Sequence, residues 1–355
     1  MHDLAIAGGG PAGLAAAIRA AQRGFRTVLF ERSGDVPDKA CGEGLMPSGA
    51  RELSRLGVAI GEGERAAFRG IRYLQEDGTV LEAPFEGETG IGIRRTVLAR
   101  ALRERALSCG AELRQGSVIA ARSLGDCVEL RAGDETLEAR LVVAADGLHS
   151  QLRRAAGLEE PAAGPTRYGI RRHFALPPWT DFVEVYWGPG AEAYVTPVGP
   201  RSVNVAFLRR RETADGFDAL LEQFPALRRR LSDAPFASEA RGAGPLLQRA
   251  RARSGPRLVL IGDAAGYVDA ITGQGLSLAF AASAVLMKEL PDDLSVDLGP
   301  ALRRYDAGLR SRWLRYALPA HGLVALSRRP PVRRAALRAL AKIPRAFAIL
   351  LRTVE

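Results

Sequence analysis

The stretch from Leu4 to Glu31 constrains the fold of this chain more than any other. Leu4-Ala5-Ile6-Ala7 is a short apolar run ending in Gly8-Gly9-Gly10-Pro11-Ala12-Gly13, and an alanine-rich segment of helical character follows to Arg23. Gly24 ends that helix, and Thr27-Val28-Leu29-Phe30 reads as a second buried strand closing on Glu31. A glycine turn alone says little. Here it joins a strand to a helix, and an acidic residue ends the next strand eighteen residues beyond Gly13, the context a dinucleotide fingerprint needs. Gly8 permits the tight turn, Gly10 lets backbone approach a pyrophosphate, and Gly13 lets helix and strand pack closely. Pro11 and Ala12 open the helix, whose free N–H groups and partial positive charge suit a phosphate. Glu31 is placed to accept a hydrogen bond from a ribose hydroxyl.

The rest of the chain alternates between two styles. Arg95 to Cys109 reads as a helix, and Leu141-Val142-Val143-Ala144-Ala145 reads as a buried strand ended by Asp146-Gly147. Residues 70–83 have a two-residue period and turn at Asp77-Gly78, a hairpin signal. Three more strands, 182–187, 191–198 and 202–208, are divided by Gly188-Pro189-Gly190 and Gly199-Pro200, and they predict an antiparallel sheet unlike the parallel opening unit. Residues 257–261 form another apolar strand running into Gly262-Asp263-Ala264-Ala265-Gly266, and after Thr272-Gly273-Gln274-Gly275 a helix is expected from Leu276 to Leu290. The 355 residues leave room for about two domains. The reading is an α/β fold: a discontinuous Rossmann-like cofactor domain over 1–69, 95–165 and 250–300, an interleaved antiparallel-sheet substrate domain over 70–94 and 166–249, and a basic helical C-terminal region over 301–355.

Charge sharpens the last boundary. Residues 301–355 hold twelve arginines and Lys342 against Asp306 and Glu355, so the tail carries +11 while the whole chain carries +10. Leu337, Leu340, Ile343, Phe347 and Leu350 recur at three- or four-residue intervals among those arginines, with Pro344 set to kink the stripe. A cationic amphipathic stripe suits peripheral contact with an anionic membrane surface or an acidic carrier protein, and equally suits a helix packed on the body with its arginines in water. No nucleic-acid motif accompanies it. No run of ~18 apolar residues predicts a spanning helix, and the chain starts directly with a strand, so a cytoplasmic location is expected. Three cysteines without paired spacing and four scattered histidines give neither a disulfide framework nor a metal centre.

Three motifs in order, Gly8-x-Gly10-x-x-Gly13 with Glu31, "DGLHSQLR" at 146–153 and "GDAAGYVDAITGQGLS" at 262–277, resemble the FAD-dependent monooxygenase superfamily with the para-hydroxybenzoate hydroxylase fold. The resemblance implies FAD as cofactor and NAD(P)H as electron donor. It places Glu31 and Arg32 at the adenosine ribose, Arg95 at the start of the helix beside the flavin, Asp146 and Gly147 at the pyrophosphate and the nicotinamide approach, and Gly262-Asp263 at the ribityl chain. Backbone from Gly273, Gln274, Gly275 and Leu276 would stabilise the negative charge of reduced flavin, since a helix N-terminus complements an anionic ring.

The superfamily divides at "KACGEGLMP". Cys41-Gly42-Glu43 resembles an element of geranylgeranyl reductases, and Gly42-Glu43-Gly44-Leu45-Met46-Pro47 resembles one of flavin halogenases. Halogenation is excluded because no lysine lies between Gly42 and Met287 to capture hypohalous acid, and the expected tryptophans are missing before Pro197. Prenyl reductases resemble this chain in Pro197 followed after six residues by Asn204-Val205-Ala206, but carry aromatic residues where it has Glu192, Tyr194 and Thr196, and a hydrocarbon cavity is a costly place for an unpaired carboxylate unless Glu192 points away from it. The remaining reading, similar to flavoproteins that oxidise alkylresorcinol-type lipids, is hydroxylation of a phenolic or polyketide-like substrate by O2 through a flavin C4a-hydroperoxide. A general base is then wanted, and His173, Glu192 and Asp269 are the candidates. Cys41 would be catalytic only in the reductase. Superfamily hydroxylases often have His-x-x-x-Pro where this chain begins at Gly266, which would leave the flavin site roomier. A flavin-bound subunit that positions a lipid or carrier protein without turnover is the alternative outside enzymes.

Overall fold

The computed structural model describes residues 1–162, 164, 166–213 and 216–341. His2–Ala7 pairs in parallel with Thr27–Glu31 on one side and with Glu135–Ala144 on the other. Glu112–Gln115 and Leu258–Leu260 extend this sheet outward, also in parallel. Its central strands are apolar on both faces, as burial on both sides requires. Leu14 and Ile18 of the Pro11–Gln22 helix, Leu102 of the Arg95–Ser108 helix and Phe280 and Leu286 of the Gly275–Glu289 helix cover one face. Val128 and Leu130, from an antiparallel meander of Val118–Ser123, Val128–Ala132 and Glu135–Ala144, cover the other.

The second sheet runs, in space, Arg241–Ala243, Arg167–Phe174, Ser202–Arg210, Ala191–Gly199, Val183–Trp187, Gly70–Leu74, Val80–Pro84. It is mixed rather than purely antiparallel, because Val183–Trp187 pairs in parallel with Gly70–Leu74. Periodicity reveals a strand but not its neighbour's direction. The 70–84 hairpin joins from a distant part of the chain, so no tight turn forces an antiparallel pair. A small sheet of Gly44–Leu45, Gly90–Ile93 and Arg65–Phe68 lies where the two large units meet. A Cβ on Gly92 would fall 1.7 Å from the Pro197 carbonyl oxygen, so backbone meets backbone at that junction.

One face of the second sheet buries Phe174, Val195 and Phe207 against Phe217, Leu220 and Leu227. The other face, with Tyr73, Val185, Trp187 and Leu208, packs against Tyr316, Ala320 and Val324 of the long Gly299–Ser327 helix and Leu337 of the Pro330–Ala341 helix. The last helix is also pinned electrostatically. Buried Arg333 donates to both carboxylate oxygens of Glu76 at 2.8 and 2.7 Å, and its guanidinium lies 5.0 Å from the Trp187 ring centroid. Arg338 pairs with Asp77 at 2.7 Å. Among the described residues the tail arginines thus divide between docking and display, with Leu314, Leu318 and Val332 left exposed beside the rest. Of the apolar stripe, Leu337 is buried and Leu340 packs beside it, while Ile343, Pro344, Phe347 and Leu350 lie outside the described residues. No helix among the described residues is long and apolar enough to cross a membrane.

Candidate functional site

The glycines of the first turn divide by what surrounds them. A Cβ on Gly8 would lie 2.4 Å from the Ala145 carbonyl oxygen, and one on Gly13 would lie 2.0 Å from the Gly8 carbonyl oxygen, so both are required for strand and helix to touch. A Cβ on Gly10 would meet only an Arg95 guanidinium nitrogen at 3.6 Å, and those on Gly42, Gly147 and Gly273 would meet nothing within 4 Å. These four face open space. Glu31 braces the turn, its Oε2 accepting the Gly9 N–H at 2.8 Å and its Oε1 the Ser33 N–H at 3.1 Å. Beside it a cleft of about 270 Å³ is lined by Gly9, Glu31, Gly34, Arg103, Leu113 and Gln115, among others, and Arg32 is exposed.

The "DGLHSQLR" and "GDAAG" motifs meet through an arginine. Arg153 is fully buried and donates to the carbonyls of Ala264 and Leu148, both at 3.2 Å, and to Gln248 Oε1 at 2.9 Å. Asp146 Oδ2 accepts the Gln151 and Leu152 N–H groups, so it caps the following short helix, and Gly147 holds a φ of 84° that glycine adopts without strain. Gly262 and Asp263 open a 3-10 turn. Burial pushes the Asp263 carboxyl up, with Arg95 and Lys39 opposing. Gln274 precedes the Gly275–Glu289 helix without a side-chain cap, leaving the first N–H groups of Gly275 and Leu276 free. Arg95 Nε, Asp146 Oδ1, Gln274 Nε2 and Ser277 Oγ are buried without partners. Open space under Gly10, a helix N-terminus at Gly275 and these unmet polar atoms fit a bound FAD. Glu31 would hold its ribose end, the Gly10 turn and Arg95 its phosphates, and the Gly275 N-terminus its ring.

The "KACGEG" loop is anchored from three directions. Glu43 adopts a left-handed φ of 59°, a conformation costing about 1–3 kcal/mol in a non-glycine residue. Four bonds hold it there. Its Oε1 accepts the Arg95 N–H at 2.7 Å, its Oε2 lies 2.6 Å from His173 Nε2, its carbonyl accepts from Ile93, and its own N–H donates to Cys41 Sγ at 3.4 Å. Its carboxylate thereby caps the Arg95–Ser108 helix, a favourable place for negative charge. Buried Asn204 donates to the Cys41 carbonyl at 2.9 Å, and buried Arg171 pairs with Asp38. His173 Nδ1 is met by Ser238 Oγ at 2.9 Å and Arg171 at 3.4 Å. Both ring nitrogens therefore have protein partners, and the imidazole links the substrate sheet to the loop. Burial pushes the Cys41 thiol up, which disfavours the thiolate that nucleophilic chemistry needs.

Along Ala191–Gly199, alternate residues Glu192, Tyr194 and Thr196 share a face. Thr196 lies beside Gly44 and Gly92. Glu192 pairs with Arg167, whose Nε lies 3.5 Å from Asp269 Oδ2, all three side chains being almost wholly buried. The sequence weighed Glu192 as an unpaired charge; Arg167 supplies its partner. Burial pushes both carboxyls up, with Arg167 opposing. The space expected at Gly266 is taken up by Trp313, whose ring a Cβ there would meet at 3.3 Å. Glu192 and Asp269 are thus brought together, and His173 is placed apart from them with Glu43. Sequence reasoning missed Arg167, Arg171, Ser238 and Lys39, whose charge interacts with Glu31, Arg95 and Asp263. Two residues here carried a signal: Lys39, as one of three lysines in the chain and inside the loop, and Asn204, whose spacing after Pro197 matches the prenyl-reductase pattern.

Comparison with known proteins points to the same cofactor. A family model described as an FAD binding domain matches residues 1–295. The menaquinone reductase of Mycolicibacterium smegmatis is 32% identical over 300 residues, covering 77% of this chain and 72% of the relative. Digeranylgeranylglycerophospholipid reductase 2 of Methanopyrus kandleri is 27% identical over 349 residues, covering 90% and 85%. Among solved structures, the flavin-dependent brominase Bmp2 superposes with a TM-score of 0.84 at 17% identity, covering 99% of this chain and 93% of that one. The halogenase PltM in complex with phloroglucinol and FAD gives 0.78 at 17%, covering 92% and 76%. At those identities the structures show a shared fold.

Proposed function

We propose that this chain, which belongs to the FAD-binding domain family and is an FAD-dependent oxidoreductase, hydroxylates a lipid-tailed phenolic or polyketide-like substrate with O2 and NAD(P)H. The observation that carries the reading is the Arg167, Glu192 and Asp269 cluster. It lies on the sheet face that runs toward the Gly44 loop, among apolar walls of Tyr73, Val185 and Trp187. Its charges are paired, but Arg167 Nε and Nη1, the Tyr194 hydroxyl and the Trp187 indole N–H are buried without a hydrogen bond, and such groups suit a substrate with a ring oxygen better than a bare hydrocarbon. Bound FAD supplies the electrons and the activation of oxygen. The chain's residues hold the ring, exclude water and manage its proton. His173 and Glu43 position the loop.

A second reading, saturation of a prenyl double bond, is favoured by Cys41 beside Gly42-Glu43-Gly44 and by the reductase names of the curated relatives. One pair of experiments separates the two. Under 18O2, with NADPH and an alkylresorcinol, labelled oxygen is expected in the product; saturation of a menaquinone side chain under anaerobic conditions, with no label aerobically, would overturn hydroxylation. Cys41→Ala is expected to keep bound FAD and at least half the turnover, since the protonated thiol has no step to perform. A complete loss of turnover with FAD still bound would favour the reductase.

A further inference from the structure

The Arg167 cluster contains more polar capacity than the protein itself uses. Arg167 Nε and Nη1 make no hydrogen bond, and neither does the Tyr194 hydroxyl or the Trp187 indole N–H, although all four atoms are buried. Glu192 and Asp269 flank the same guanidinium. Asp269 Oδ1 accepts the Ile271 N–H at 2.9 Å, and the Tyr316 hydroxyl donates to the Asp269 carbonyl at 2.8 Å, so the loop carrying the acid is fixed from the long C-terminal helix. The site is built, and its unmet groups, the guanidinium, the indole N–H and the tyrosine hydroxyl, stand beside two carboxylates already paired with Arg167.

We propose that this cluster is the binding subsite for a phenolic hydroxyl of the substrate, with Arg167 as the donor and Glu192 or Asp269 as the acceptor. A hydroxyl both donates and accepts, so it can satisfy the guanidinium and a carboxylate at once; a carbonyl can only accept and an alkene does neither. A buried donor left unmet is costly, and a matching ligand oxygen recovers that cost. The surroundings are aromatic: Tyr73 and Trp187 are stacked with centroids 6.4 Å apart, and Tyr194 lies between Glu192 and Thr196 on one face. Arg167 is thereby a specificity-determining residue. The inference rests on the hydroxylase reading for its substrate class.

The test is calorimetric binding of 5-pentylresorcinol and of its dimethyl ether to the FAD-loaded protein. The two share ring and chain and differ in the hydroxyls. The resorcinol is expected to bind at least tenfold more tightly, and Arg167→Gln to abolish that preference while leaving the ether's affinity and the flavin absorbance unchanged. Glu192→Gln, which keeps the shape should Arg167→Gln fold poorly, is expected to cut the preference severalfold. Equal binding of resorcinol and ether by the unaltered protein would overturn the subsite, as would an undiminished preference in both variants. Failure of the two ideas is separable. Absence of 18O label with the hydroxyl preference intact removes the hydroxylase reading alone, whereas label in the product with an unchanged preference in Arg167→Gln and Glu192→Gln removes the subsite alone.

Discussion

Gly13→Ala yields a protein without stoichiometric FAD and with a lowered melting temperature, whereas Gly10→Ala loses affinity for FAD but keeps the stability of the flavin-free fold. The difference follows from what each new methyl group meets. At Gly13 it would fall 2.0 Å from the Gly8 carbonyl oxygen and 3.2 Å from the Ala145 Cβ, so the first helix must move off the first strand. Overpacking of this kind typically costs about 1–3 kcal/mol, and the displaced turn no longer presents its N–H groups to a pyrophosphate. At Gly10 the methyl has space, with Arg95 at 3.6 Å, and it obstructs only what passes over the turn. A fall of at least a hundredfold in FAD affinity is expected for Gly13→Ala and of at least tenfold for Gly10→Ala. The flavin absorbance of the purified proteins and melting of the stripped forms provide the measurement. Stoichiometric yellow protein from Gly13→Ala would contradict the reading of the turn, and a destabilised flavin-free Gly10→Ala would contradict its division into packing and ligand glycines.

Glu43→Ala is expected to be the most destabilising single change in the loop. It strands His173, which has no exposure to water, and removes the cap from the Arg95 N–H. Breaking a buried pair from one side costs about 3–5 kcal/mol, and for a protein of 355 residues each kcal/mol lowers the melting temperature by about 1–2 °C. Glu43→Gly removes the same contacts but relaxes the left-handed backbone, so it should be milder than Glu43→Ala by about 1 kcal/mol. Glu43→Gln, which can still accept from Arg95 or bond His173, should be milder than either. The order Gln, Gly, Ala in melting temperature is the check; Ala as stable as Gly would show that the backbone at 43 stores no strain.

How far the sequence could be read depends on how local the determinant is. The first turn, the hairpin at Asp77-Gly78 and the helix from Gly275 were legible because a few adjacent residues fix backbone geometry there. FAD followed from motifs that each describe one turn. The Glu43 and His173 pair joins residues 130 apart, and Arg171 reaches Asp38 across 133; neither spacing has a signature, since any two strands of a sheet can bring such residues together. Arg167 was invisible for the same reason, and Glu192 was consequently weighed as an unpaired charge. The parallel partner of Val183–Trp187 lay beyond reach because alternation says which face a residue takes and nothing about who lies alongside.

The packing of Leu337 and Arg333 against Trp187 and Glu76 also sets a timetable for synthesis. Every strand of the parallel sheet has left the ribosome once Leu260 has, so that sheet can close while the chain is still growing. The wall opposite Trp187 cannot be raised until the Pro330–Ala341 helix emerges. A nascent chain halted before that point would present Trp187 and Val185 to chaperones or to water, and this face of the second sheet stays open after the parallel sheet has closed.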